Sequence, residues 1–173
     1  MRHIISVIVD NQPGVLAHVS GLFSSRGFNI DSLAVGETED ARFSRMTIIT
    51  HGDDQIIEQI TKQLRKLINV IKVQDISHRP HVERDLALVR VHAPPEKRVE
   101  VMAVVEIFRG KIVDVSPREM MVEISGPEEK VTAFLDLMRP LGVKGLVRTG
   151  VVAMPRGETQ PAAPGAGNES PAL

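Results

Sequence analysis

Residues 3–27 read HIISVIVDNQPGVLAHVSGLFSSRG, and this stretch decides the fold. Residues 3–10 are mostly β-branched, with Ile5, Val7 and Val9 on one face, which predicts a buried strand ending at Asp10. Asn11-Gln12-Pro13-Gly14 then reads as a turn into a helix. Asn is a residue type that caps helices, and Pro is tolerated in the first turn, where no intrahelical donor is lost. Over residues 14–26, Val15, Leu16, Val19, Leu22 and Phe23 recur at the spacing of a helix apolar on one side, and Gly27 is a natural stop.

Outward from that unit the pattern continues. Phe28 to Val35 predicts a second strand, Gly36 to Arg42 a turn, and Phe43 to Thr50 a third strand. Asp53 or Asp54 can cap a second helix carrying Ile56, Ile57, Ile60, Leu64 and Leu67, and Val70 to Ile76 predicts a fourth strand. After a polar stretch with Pro80, the order repeats: a strand over Leu86 to His92, a helix opened by Pro94-Pro95-Glu96, strands over Lys111 to Val115 and Met120 to Ser125, a helix opened by Pro127-Glu128-Glu129, and a strand over Val143 to Met154. The expected fold class is α+β: two tandem ferredoxin-like βαββαβ domains, each an antiparallel sheet with both helices on one face. The expected boundaries are 1–77 for the first domain, 78–83 for a linker, 84–154 for the second domain and 155–173 for a tail. The tail, rich in Pro, Gly, Ala and Ser, is read as disordered. Because Ile4 and Ile8 make the other face of the first strand apolar too, that sheet face requires a partner sheet, domain or subunit.

Composition excludes several functions. Hydrophobic residues are 42% of the 173, enough for a core, but aromatics are 3%, so the core is aliphatic. With 21 basic and 22 acidic side chains the net charge is −1, too low for a general nucleic-acid binder; five Phe and no Trp or Tyr leave no stacking platform for bases. No cysteine is present, which removes disulfides and thiolate chemistry. No apolar stretch is long enough to span a bilayer and no secretory cleavage pattern follows the first strand, so a soluble, cytoplasmic protein is expected, with no membrane partner.

No catalytic or metal constellation emerges. His78 and His81 lie close in a polar stretch without further ligands, and the acidic pairs Asp53-Asp54 and Glu128-Glu129 sit where helix starts attract negative charge. A small enzyme on this scaffold would need polar groups converging in one cleft. A transcriptional sensor would need a DNA-reading helix or basic arm, and neither is apparent. The turn at 11–14 remains: its backbone N–H groups at a helix start can hold an anion such as an amino-acid carboxylate, or can simply form a capped turn.

The run ISVIVDNQPGVLAHVSGLFSSRGFNIDSLAV resembles the opening of an ACT domain. More narrowly, with Ser44-Arg45-Met46-Thr47-Ile48, Gln63-Leu64-Arg65-Lys66-Leu67, Glu83-Arg84-Asp85-Leu86-Ala87-Leu88-Val89, the run from Glu106 to Val115 and Arg148-Thr149-Gly150-Val151-Val152-Ala153, it resembles the small regulatory subunits of acetolactate synthase over residues 1–156. The resemblance implies a chain without an active site. It implies that the chain would activate a separate catalytic (large) subunit and confer feedback inhibition by valine. Thiamine diphosphate, magnesium and FAD would belong to that other subunit, and this chain would hold no cofactor. It further implies a homodimer through the ACT domains. The effector would sit between Asn11, Gln12, Pro13, Gly14, Val15 and Leu16 of one subunit and Asn29 and Ile30, on the second strand of the other. The alternative is a stand-alone ACT-type amino-acid sensor acting on another enzyme or on transcription.

Overall fold

In the computed structural model, which describes residues 1–157, the apolar residues 4–9 lie in the middle of a sheet. Strand β1 (Arg2–Asp10) runs between β3 (Phe43–His51) and β4 (Val70–Asp75), and β2 (Ser32–Glu37) is the outer strand beside β3. All neighbours are antiparallel. Helices α1 (Val15–Ser25) and α2 (Asp54–Leu64) cover the face that carries Ile5, Val7 and Val9. Met46, Ile48, Phe23, Ile60 and Leu64 fill the space between helices and sheet, each buried almost completely. Each such side chain contributes about 1.5–3 kcal/mol when withdrawn from water.

The helix starts differ. Asp53 caps α2, its Oδ1 accepting from the Ile56 amide at 2.8 Å. Asn11 does not cap α1. The cap position is Gly14, in the left-handed region at φ 87°, with no side-chain acceptor. Asn11 is drawn instead to the β2–β3 hairpin: its Nδ2 donates to the Ala41 carbonyl at 2.9 Å and to Glu37 Oε1 at 3.1 Å. Strand β2 also begins at Ser32, later than the Phe28 expected. The residues in between finish the helix: Gly27 adopts φ 68°, the Phe28 amide donates to the Phe23 carbonyl at 2.9 Å, and the two rings meet edge-on at 6.5 Å.

The second half repeats the order with β5 (His81–His92), α3 (Arg98–Ile107) behind a 3-10 turn at Pro95–Lys97, β6 (Lys111–Val115), β7 (Glu119–Gly126), α4 (Glu128–Gly142) and β8 (Val143–Arg148). Its sheet runs β6-β7-β5-β8, and Ala87, Val89, Val91, Val122 and Ile124 pack beneath Val101, Phe134 and Met138. Each domain is thus an antiparallel sheet with two helices, the ferredoxin-like arrangement expected.

Two expectations are corrected at the joint. The stretch 78–83 is not linker throughout, because β5 starts at His81. The single strand expected over 143–154 is broken at Gly150, where φ is 79°, and resumes as β9 (Val152–Pro155). β9 pairs with the front of β5, from His81 opposite Pro155 to Arg84 opposite Val152. The break lets the chain leave its own sheet and lie against the other. Val151 and Ala153 bury themselves with Ile4, Ile49 and Ile76 on the helix-free face of the first sheet. Part of the partner required by that face is therefore the chain's own second half. The predicted tail lies, from residue 158 onward, outside the described residues.

Candidate functional site

The turn Asn11-Gln12-Pro13-Gly14 stands exposed at the end of β1. Three of its groups are committed: the Asn11 amide donates to the Arg42 carbonyl at 2.8 Å, the Gln12 amide to the Asp10 carbonyl at 3.0 Å, and the Val15 amide weakly to the Gln12 carbonyl at 3.4 Å. Val15 is itself buried in the core, while Leu16 is 45% exposed and faces away from it. The amides of Gly14, Leu16 and Ala17 meet no acceptor among the described residues. They form the open start of α1, where the helix dipole favours a negative group. At the hairpin tip beside the turn, hydrogen bonds from the Arg42 side chain and amide lower the pKa of the Asp40 carboxyl to about 2.

Asn29 and Ile30 do not lie on a strand; they precede β2. Thr50 Oγ1 donates to the Asn29 carbonyl at 2.7 Å, and the Asp31 amide donates to the Ile49 carbonyl at 2.9 Å. The Asn29 side chain donates to Asp31 Oδ1 at 2.6 Å, and the His51 ring bonds the other Asp31 oxygen at 2.6 Å. The His51 bond holds the Asp31 carboxyl below its ordinary range; slight burial opposes this and the Asn29 bond assists it.

Within one chain the two groups of residues are kept apart. Asp10 pairs with Phe43 at one end of β3, and Arg2 pairs with His51 at the other. Asn11 sits at the first end and Asn29 at the second, roughly 25 Å away at strand rise. Both, however, flank β2. Asn11 bonds Glu37 at its far end, and Asn29 and Ile30 lead into Ser32 at its near end. The outer side of β2 has no neighbouring strand among the described residues.

Glu37, Ala41 and Asp31, which fix Asn11 and Asn29, were not singled out from the sequence; their part depends on a hairpin register that single-residue patterns do not encode. His78 and His81 separate: the His78 ring packs edge-on to His3 at 6.0 Å, and His81 points its Nδ1 to the Arg79 carbonyl at 2.7 Å. Among the described residues no group of three or more His, Asp or Glu side chains could hold a metal ion. No helix there is long and apolar enough to cross a membrane.

Comparison with known proteins identifies the family. Residues 5–72 match the family described as an AHAS small subunit-like ACT domain, and residues 84–157 match the small subunit of acetolactate synthase. A probable acetolactate synthase small subunit of Archaeoglobus fulgidus is 58% identical over 157 residues, covering 91% of this chain and 98% of that protein. The acetolactate synthase small subunit of Aquifex aeolicus is 51% identical over 156 residues, covering 90% and 81%. The crystal structure of the acetolactate synthase small subunit from Thermotoga maritima superposes with a TM-score of 0.84 at 45% identity, covering 91% of this chain and 99% of that one. The chain therefore belongs to the family of acetolactate synthase small subunits.

Proposed function

We propose that this chain is the regulatory subunit of an acetolactate synthase, activating a separate catalytic subunit and making it sensitive to feedback by valine. The observation that supports the reading is that Asn11 and Asn29 lie at opposite ends of β2, whose outer edge has no neighbouring strand among the described residues. If two chains pair antiparallel along that edge about a two-fold axis, the Glu37 end of one meets the Ser32 end of the other. The turn of one protomer then faces Asn29 and Ile30 of its partner, and two equal sites form.

The chemistry of such a site suits an aliphatic amino acid. The amides of Gly14, Leu16 and Ala17 receive the carboxylate at the helix start. The Asn29 side chain and backbone oxygens receive the ammonium, and Ile30 and Leu16 form the wall for an isopropyl group. Valine can lower activity only by binding the less active holoenzyme state more tightly, and a site shared by two chains supplies that difference through the way they meet. Thiamine diphosphate, magnesium and flavin chemistry belongs, on this reading, to the catalytic subunit.

The test is reconstitution with the catalytic subunit from the same source, assaying acetolactate formation with and without valine. Gly14→Asp places a carboxylate against that of the effector and abolishes inhibition while activation persists. Gly14→Asn is the control: both residues are among the few that tolerate a left-handed backbone, so they differ mainly in charge. Equal valine inhibition in wild type and Gly14→Asp refutes the site.

A further inference from the structure

An Asn side chain turned one way offers an oxygen, and turned the other way it offers two N–H donors. A free Asn29 would therefore accept an ammonium or donate to a carbonyl with equal ease. Recognition of one of the two needs a neighbour that fixes which end points outward, and the chain supplies one two residues on.

Asn29 Nδ2 donates to Asp31 Oδ1 at 2.6 Å, while Asn29 Oδ1 meets no donor among the described residues. Asn29 is exposed, so that oxygen is open to a ligand. Asp31 is itself held at two points. Its amide donates to the Ile49 carbonyl at 2.9 Å, and His51 Nδ1 lies 2.6 Å from its Oδ2. An ionised carboxylate only accepts hydrogen bonds, so Nδ1 carries the proton in this contact. The same bond is the largest cause of the lowered Asp31 pKa, which keeps the group ionised and unable to donate back to Asn29. Arg2, which stands opposite His51 in the sheet, does not compete for Asp31, because its guanidinium is committed to Glu83 and Glu128. The backbone is fixed as well, with Thr50 Oγ1 donating to the Asn29 carbonyl at 2.7 Å. His51, Asp31 and Asn29 thus form a chain of bonds anchored on β3, in which each link orients the next and the last presents an oxygen.

We propose that His51 and Asp31 are positioning residues of the effector site, and that they make it select an amino acid over the 2-oxo acid of the same carbon skeleton. The inference rests on the effector reading given under the proposed function. With both Asn29 donors turned toward Asp31, a ligand meets only an acceptor. The amino group of valine donates to it. The keto group of 3-methyl-2-oxobutanoate sets oxygen against oxygen and leaves both unpaired, the situation in which a polar site rejects an analogue. Neither His51 nor Asp31 needs to touch the effector, and the wall of Ile30 and Leu16 is the same for both compounds.

The test titrates the full chain calorimetrically with L-valine and with 3-methyl-2-oxobutanoate. Wild type is expected to bind valine about tenfold tighter or more. His51→Phe keeps a ring but has no N–H donor, and Asp31→Asn replaces the acceptor-only carboxylate by an amide. Each is expected to weaken valine by about tenfold and to leave the oxo acid unchanged or tighter, so that the preference closes. His51→Asn returns an N–H donor and restores it. The two side chains are 63% and 34% exposed, so these variants leave the core intact. Equal losses for both ligands in His51→Phe, which a merely structural role would give, overturn the proposal. So does a preference that survives in either His51→Phe or Asp31→Asn, or a His51→Asn that behaves like His51→Phe. In each of those cases valine binding by wild type leaves the effector reading standing. A wild type that binds neither compound overturns both.

Discussion

Ser32 Oγ accepts a hydrogen bond from the Val151 amide at 2.9 Å, so the first residue of one domain's edge strand fastens the corner by which the other domain's chain crosses over. Ser32→Ala leaves that amide without an acceptor next to the buried Val151 side chain. The expected loss of stability is about 1–3 kcal/mol. Urea denaturation of the full chain measures it, and an unchanged midpoint shows that the corner is held by packing alone.

Gly150 lies against the same residue. It adopts φ 79°, and a Cβ built there would stand 2.7 Å from Ser32 Oγ and 3.3 Å from the Leu33 carbonyl oxygen. Gly150→Ala is expected to cost about 1–3 kcal/mol in backbone strain, with the clash in addition. Because Ser32→Ala removes the nearer obstacle, the double variant should lose less than the sum of the single losses. Strict additivity in denaturation would place the strain elsewhere. Gly14→Ala is the comparison, since Gly14 also has positive φ but nothing within 4 Å of its Cβ position.

Asp75 predicts an acid-sensitive step in stability. Burial raises its pKa, but the Ser77 hydroxyl and amide and the His3 ring together outweigh burial and leave the carboxyl below its ordinary range. A carboxyl with a lower pKa folded than unfolded stabilises fully above its unfolded value. That contribution fades as pH falls through the folded value. Asp75→Asn should therefore flatten the loss of stability on the acid side of about pH 4. Thermal melts of both proteins across that range supply the comparison; parallel curves would remove Asp75 from the account.

Most of the architecture was legible because periodicity carries it. Ile5, Val7 and Val9 alternate as a strand must, and Ile57, Ile60 and Leu64 recur as a helix face must; both sets are core. The joint was not legible. His81, Val82 and Glu83 look like linker because their ribbon with β9 is only two strands wide and two of the three are polar. The break at Gly150 fell inside residues 143–154, whose recurring Val residues read as one strand. For the candidate site, the open amides after Gly14 followed from the turn's composition. The diversion of the Asn11 side chain to Glu37 did not, since it depends on how a distant hairpin is placed.

The ribbon of β5 and β9 also brings the two ends of the second half together. His81 faces Pro155 across it, and the Arg156 amide donates to the Pro80 carbonyl at 2.8 Å, so entry and exit are clasped together. Topologically the domain is a closed loop hanging from a stem. A stem of this kind makes the domain an exchangeable module: length inserted at its tips, away from the clasp of Pro80 and Arg156, leaves the first sheet undisturbed.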